Sequence, residues 1–127
     1  AGPRLLPRRT DEAEAFVAYG PTRQRTRDPL GVERDNARSA VGLKADGTVL
    51  LLMAEQPAES AGKGGLSLTT LTEALRALGA VEALNLDGGT SSSMWTAKTG
   101  AVYGKKDADG KPVPRAVLSF LVVRPTR

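Results

Sequence analysis

The chain contains no histidine and no cysteine. Without histidine there is no Ser-His-Asp triad, no imidazole base and no His-ligated zinc, and without cysteine there are no disulfides, thiolate metal sites or thiol nucleophiles. Acid-base chemistry therefore falls to carboxylates, Tyr or Lys. Aromatic residues are scarce: Phe16, Tyr19, Trp95, Tyr103 and Phe120 are all there are. None is interleaved with a basic cluster as a base-stacking surface requires, so no nucleic-acid partner is expected despite a net charge of +4. No apolar run is long enough to span a bilayer, and no transmembrane segment is expected.

What the chain does have is the composition of one globular domain, 127 residues with 40% apolar and 25% charged. The first 38 residues read as loop-rich, with eight arginines and little periodicity outside residues 15–19. From Ser39 the pattern sharpens into the regular α/β part, 39–127. Apolar runs at 40–43 and 49–53 flank Asp46-Gly47, a strong hairpin signal because glycine accepts the positive φ of a tight turn. Residues 55–65 read as a loop. Ser67 is a natural helix N-cap; Leu71, Leu75 and Leu78 then share a face, and Gly79 ends the helix.

A buried strand is expected at 83–86, extended structure again at 94–96, and a polar loop around Asp107 and Asp109. Residues 116–123 are nearly all apolar and read as a strand in the middle of a sheet. The class is mixed α/β or α+β, with one helix on a mostly antiparallel sheet. The Asp107-Ala108-Asp109-Gly110 run lacks the further acidic positions of a calcium loop, so neither a metal site nor a cofactor is expected.

The segment with chemical promise follows the 83–86 strand: Asn85-Leu86-Asp87-Gly88-Gly89-Thr90-Ser91-Ser92. Glycine pairs let backbone approach a ligand, four consecutive hydroxyls from Thr90 to Ser93 can donate to phosphate or sugar oxygens, and Asp87 supplies a carboxylate. The plain alternative is a strand-to-turn junction in which Asp caps backbone and the hydroxyls are solvated.

Over a longer span the chain resembles the phosphodiester glycosidase family, similar to the catalytic domain that uncovers mannose 6-phosphate. The resemblance rests on Asn36-Ala37-Arg38-Ser39-Ala40-Val41-Gly42, the Asp46-Gly47 hairpin, Gly65-Leu66-Ser67-Leu68, the Leu-rich helix, Leu86-Asp87-Gly88-Gly89 with its serines, and Pro114-Arg115-Ala116-Val117-Leu118-Ser119. It implies a hydrolase that cleaves a sugar 1-phosphodiester, with a phosphorylated glycan as partner and a bacterial, secreted or cell-envelope setting. Asp87 would be the catalytic or sugar-orienting carboxylate and Arg38 a phosphate clamp. Asn85, Gly88, Gly89, Thr90, Ser91 and Ser92 would line the substrate, and Glu55 is the candidate second carboxylate.

The second reading is a non-catalytic glycan-binding or envelope-complex subunit that keeps the fold. Residues 1–6 resemble an element found inside the family's domain, so the chain reads as lacking the N-terminal portion of that domain. The sheet should then show an unpaired apolar edge, or be completed by another protein chain.

Overall fold

The computed structural model describes residues 2–57 and 64–124. Its strands are β1 (Arg4–Leu6), β2 (Ala18–Tyr19), β3 (Arg25–Arg27), β4 (Arg38–Lys44), β5 (Val49–Ala54), β6 (Ala80–Asn85), β7 (Ser93–Thr96) and β8 (Gly100–Tyr103). One α-helix, α1 (Leu68–Ala77), lies between β5 and β6. The main sheet has the order β1-β6-β4-β5, antiparallel throughout, while β2–β3 and β7–β8 form separate two-stranded ribbons. The fold is α+β.

The β4–β5 hairpin turns where Asp46-Gly47 requires it. Gly47 has φ +86, its N–H donates to the Lys44 carbonyl at 3.0 Å, and Asp46 Oδ1 accepts from the Thr48 N–H at 2.9 Å. That backbone hydrogen bond is the main cause holding the Asp46 carboxyl below its ordinary range. Helix α1 starts at Ser67, whose hydroxyl accepts from the Thr70 N–H at 3.1 Å, and ends before Gly79 at φ +90.

Side chains along β4 alternate between two environments, as strand geometry demands. Arg38, Ala40 and Gly42 point to the helix side and are buried; Ser39, Val41 and Leu43 point to the other face. On the helix side Leu68, Leu71 and Leu75 pack on Ala40, Ala80 and Ala83, with Leu5, Leu6, Val17 and Val32 completing the core. A Cβ on Gly42 would lie 3.2 Å from the Ala80 Cβ and 3.3 Å from Leu75 Cδ2, so the small residue lets helix and sheet approach.

The N-terminal region contributes more than loop. Leu5 and Leu6 are buried and β1 joins the sheet beside β6, but three residues are too few to show a period. At the opposite edge β5 pairs, among the described residues, only with β4. That leaves an unpaired edge built from Val49, Leu50, Leu51, Leu52 and Met53.

One expectation fails. Residues 116–123 form no strand and lie outside the core: Leu118 is 108% and Phe120 81% exposed. Both edges of β4 and of β6 are already paired, so no interior position of the sheet is vacant. An apolar run asks for burial but does not say against what.

Arg9 tethers the N-terminal loop to α1. Its Nε and Nη2 donate to Asp11 Oδ1 and Oδ2 at 3.0 and 2.8 Å, and its Nη1 donates to Thr69 Oγ1 at 2.8 Å. Burial pushes the Asp11 carboxyl up, but the hydrogen bond and charge of Arg9 outweigh it and the net shift is downward. A lowered folded-state pKa stabilises above the unfolded value of about 4 and stops doing so as pH falls through the folded value. Asp11→Asn is therefore expected to lose about 1 kcal/mol at pH 7 and nothing near pH 2, measured by urea unfolding at both pH values.

Candidate active site

Strands β5 and β6 flank β4 and both run opposite to it, so their C-terminal ends lie at the same end of the sheet. Ala54 pairs with Arg38, and Asn85 with Ala40. The candidate residues on these strands are thus gathered there, near the start of β4.

Leaving β6, the chain is fixed by backbone first. The Asn85 N–H donates to the Pro3 carbonyl at 3.0 Å and the Leu86 N–H to the Ser39 carbonyl at 2.8 Å. The Asn85 side chain is buried; its Nδ2 donates to the Leu86 carbonyl at 2.8 Å, and its Oδ1 has no partner among the described residues. Asp87 is exposed, with Oδ1 accepting from the Gly88 N–H at 3.0 Å.

The two glycines that follow serve different needs. Gly88 passes so close to β4 that a Cβ would sit 2.8 Å from the Ala37 carbonyl oxygen, and the Gly89 N–H donates to that same oxygen at 2.8 Å. Gly89 has open space around it but a φ of +60, and it begins the single 3₁₀ turn Gly89–Ser91. Gly88→Ala should therefore cost about 1–3 kcal/mol through displaced backbone, measurable by chemical denaturation.

The turn sorts the hydroxyls. Ser92 is buried, and the Ser39 hydroxyl donates to the Ser92 hydroxyl at 3.0 Å. Thr90 and Ser91 are partly exposed, and among the described residues neither hydroxyl has a hydrogen-bond partner. The open groups of the loop are thus the Asp87 carboxylate and the Thr90 and Ser91 hydroxyls, while Asn85 and Ser92 hold the loop's shape.

The loop is also tied to β5. The Gly104 N–H donates to the Ser92 carbonyl at 2.7 Å, and the Gly104 carbonyl accepts from the Gln56 N–H at 2.6 Å. A Cβ on Gly104 would meet the Ser92 Cβ at 2.5 Å, so only glycine fits this relay. Glu55, next to Gln56, is exposed and bound by Lys106 at 3.0 Å. Gly104, Ser39 and Gln56 were not among the expected site residues; a lone glycine after Tyr103 was the available signal for the first of them.

Arg38 is 4% exposed and its guanidinium turns to the helix side. Nε donates to the Leu66 carbonyl at 2.9 Å, Nη1 to Leu30 at 2.9 Å, and Nη2 to Gly31 at 2.7 Å and Arg34 at 2.9 Å. Burial lowers its pKa, offset in part by the charges of Asp28 and Asp35. The fork that the resemblance assigns to phosphate is engaged with four backbone carbonyls, and neither Asp35 nor Glu33 forms an ion pair with it.

In the polar loop, Asp107 Oδ1 accepts from the Asp109 and Lys111 N–H groups at 3.0 and 2.9 Å, which makes it a backbone turn. No cluster of three or more metal-ligating side chains occurs among the described residues.

The class of protein that the structure defines is an α+β domain built on an antiparallel sheet, whose central strand β6 ends in a glycine-bounded loop carrying one open carboxylate and two open hydroxyls. The match to known families is consistent with this. Residues 5–124 match the family model for phosphodiester glycosidase, and the chain belongs to that family. No curated protein and no solved structure matches it.

Proposed function

We propose that the protein hydrolyses a sugar 1-phosphodiester at the bond between the anomeric carbon and phosphate, with Asp87 as the carboxylate that activates the attacking water. The observation that supports this reading is the state of Asp87: exposed, with one oxygen fixed by the Gly88 N–H and the other without a partner among the described residues, in the same loop as the open Thr90 and Ser91 hydroxyls. Water adds to the anomeric carbon as its proton passes to Asp87. The glycosidic oxygen departs on the phosphate, giving a free sugar and a phosphomonoester. The second pKa of a phosphomonoester is about 6, so the group leaves near neutral pH with little need for a general acid. One well-placed base is sufficient.

Thr90 and Ser91 donate to phosphate or sugar oxygens. Glu55, held by Lys106 at the end of β5, is the second carboxylate and accepts from a sugar hydroxyl. Arg38 is a positioning residue: by gathering the carbonyls of Leu30, Gly31, Arg34 and Leu66 it fixes the start of β4, against which Gly88 and Gly89 rest. Its engagement is also the one observation favouring a glycan-binding subunit without turnover, since it leaves the loop with hydroxyls but no guanidinium.

Substrates of this kind occur in exported and envelope glycans, so we assign the protein to a bacterial envelope or secreted setting. No helix among the described residues is long and apolar enough to cross a membrane. The test is sugar release from a panel of sugar 1-phosphodiesters, with aryl glycosides lacking phosphate as controls. Release from a phosphodiester but not from the controls is expected; binding without release from any member would favour the non-catalytic subunit.

A further inference from the structure

Among the described residues, the second face of the sheet is covered at one end only. Over Ala37 and Ser39 lie Gly104 and Ser92: a Cβ on Gly104 would be 3.0 Å from the Ala37 Cβ, and the Ser39 and Ser92 hydroxyls are 3.0 Å apart. Farther along β4 no described residue covers the face. Val41, Leu43, Val49 and Leu84 line a groove of about 370 Å³, whose charged lining residues are Arg4 and Glu82. Leu43, Val49, Leu51 and Leu84 are each at least 39% exposed. Sheets with one apolar face uncovered normally acquire a second layer.

The same molecule carries an apolar segment without a home. Residues 116–123 make no strand, Leu118 and Phe120 are almost wholly exposed, and none of the groove's lining residues comes from this segment. It departs from the covered end of the same face: the Val113 N–H donates to the Lys105 carbonyl at 2.9 Å, one residue beyond Gly104. One acidic group is also available to pair, although Arg4 shares the groove with it. Arg115 and Arg124 bracket the segment and Glu82 lines the groove, and among the described residues none of the three forms an ion pair.

Each copy thus exposes both halves of a complementary pair. We propose that the chain forms a twofold homodimer in which residues 116–123 of each copy lie across the second-face groove of the other, with one of the flanking arginines near Glu82. A twofold axis uses both halves twice and leaves neither exposed, the arrangement expected when an element is exchanged between identical protomers. About half of the six large apolar side chains of each extended tail face the groove, and with the surface they cover the two copies remove roughly 1,400 Å² from water, within the range of a stable interface. This inference is independent of the catalytic reading.

Sedimentation equilibrium tests it with the wild-type chain, Val49→Glu in the groove and Leu118→Glu in the tail. Both positions are exposed in the protomer, so each variant should keep one cooperative melting transition, lowered only by the association it loses. The wild type should be dimeric, and each variant should weaken the dimer about tenfold or more. Mixing the two should restore part of the association, because the intact tail of one fits the intact groove of the other. Three results would overturn the proposal. One is a wild type that stays monomeric with its tail protected from protease, meaning that the tail docks on its own groove. Another is a monomer whose tail is cleaved. The third is a dimer that neither variant weakens.

Discussion

Replacing Arg38 with alanine is expected to unfold much of the population before it says anything about phosphate. The guanidinium lies in the buried layer and donates to the carbonyls of Leu30, Gly31, Arg34 and Leu66, joining the loop before β4 to the residue before the Ser67 cap. Alanine would leave these acceptors without donors, at about 1–3 kcal/mol for each one that water cannot reach, and would remove the packing of the long side chain. A total of about 3–5 kcal/mol is expected, a large share of the about 5–15 kcal/mol that holds a domain together.

Calorimetry should therefore show a melting point lower by about 10 °C or more, or no cooperative transition at all. Arg38→Lys keeps the charge but offers a single nitrogen where the fork reaches four oxygens, and should recover less than half of the loss. Lost turnover in Arg38→Ala would accompany unfolding and could not by itself assign a phosphate clamp. An Arg38→Ala variant that melts like the wild type yet fails to turn over would contradict the positioning role.

Asp87→Asn should behave in the opposite way. Asparagine has the same shape and still accepts the Gly88 N–H through its Oδ1, and the turn beyond it is held by backbone bonds from Gly89 and Ser91 to Ala37 and Gly88. Stability should stay within about 0.5 kcal/mol of wild type, as for other exposed substitutions. Turnover should fall about 10²–10⁴-fold, the usual contribution of a positioned general base. Asp87→Glu keeps the charge but moves it by one methylene, and about a 10²-fold loss is expected from that misplacement. Equal activity in wild type and Asp87→Asn would remove Asp87 from the chemistry.

The elements legible in the sequence were those specified by their own residues. The Asp46-Gly47 hairpin, the Ser67 cap and the Gly79 stop each depend on one or two local side chains, and each formed where its signal stood. The loop from Asp87 to Ser92 was legible as a glycine-permitted turn for the same reason.

What was not legible depended on distant partners. The direction of the Arg38 fork is decided by where Leu30, Gly31, Arg34 and Leu66 bring their carbonyls, none of which carries a side-chain signature. Gly104 is needed because Ser92 lies against it, a contact between residues twelve apart on either side of the β7–β8 ribbon. Residues 116–123 were read as a central strand because they are apolar throughout. Hydrophobicity records the demand for burial, but strand pairing also needs a free edge in the right register, and β4 and β6 offer none.

The central claim is that an intact loop with Asp87 as its base cleaves the glycosyl-phosphate bond. The most direct test measures sugar release from a sugar 1-phosphodiester by wild type and Asp87→Asn, on preparations shown by calorimetry to melt at the same temperature. The account predicts release by the wild type and a loss of about 10²–10⁴-fold in the variant. A wild type that binds the phosphodiester without releasing sugar, or an Asp87→Asn variant as active as the wild type, would contradict it.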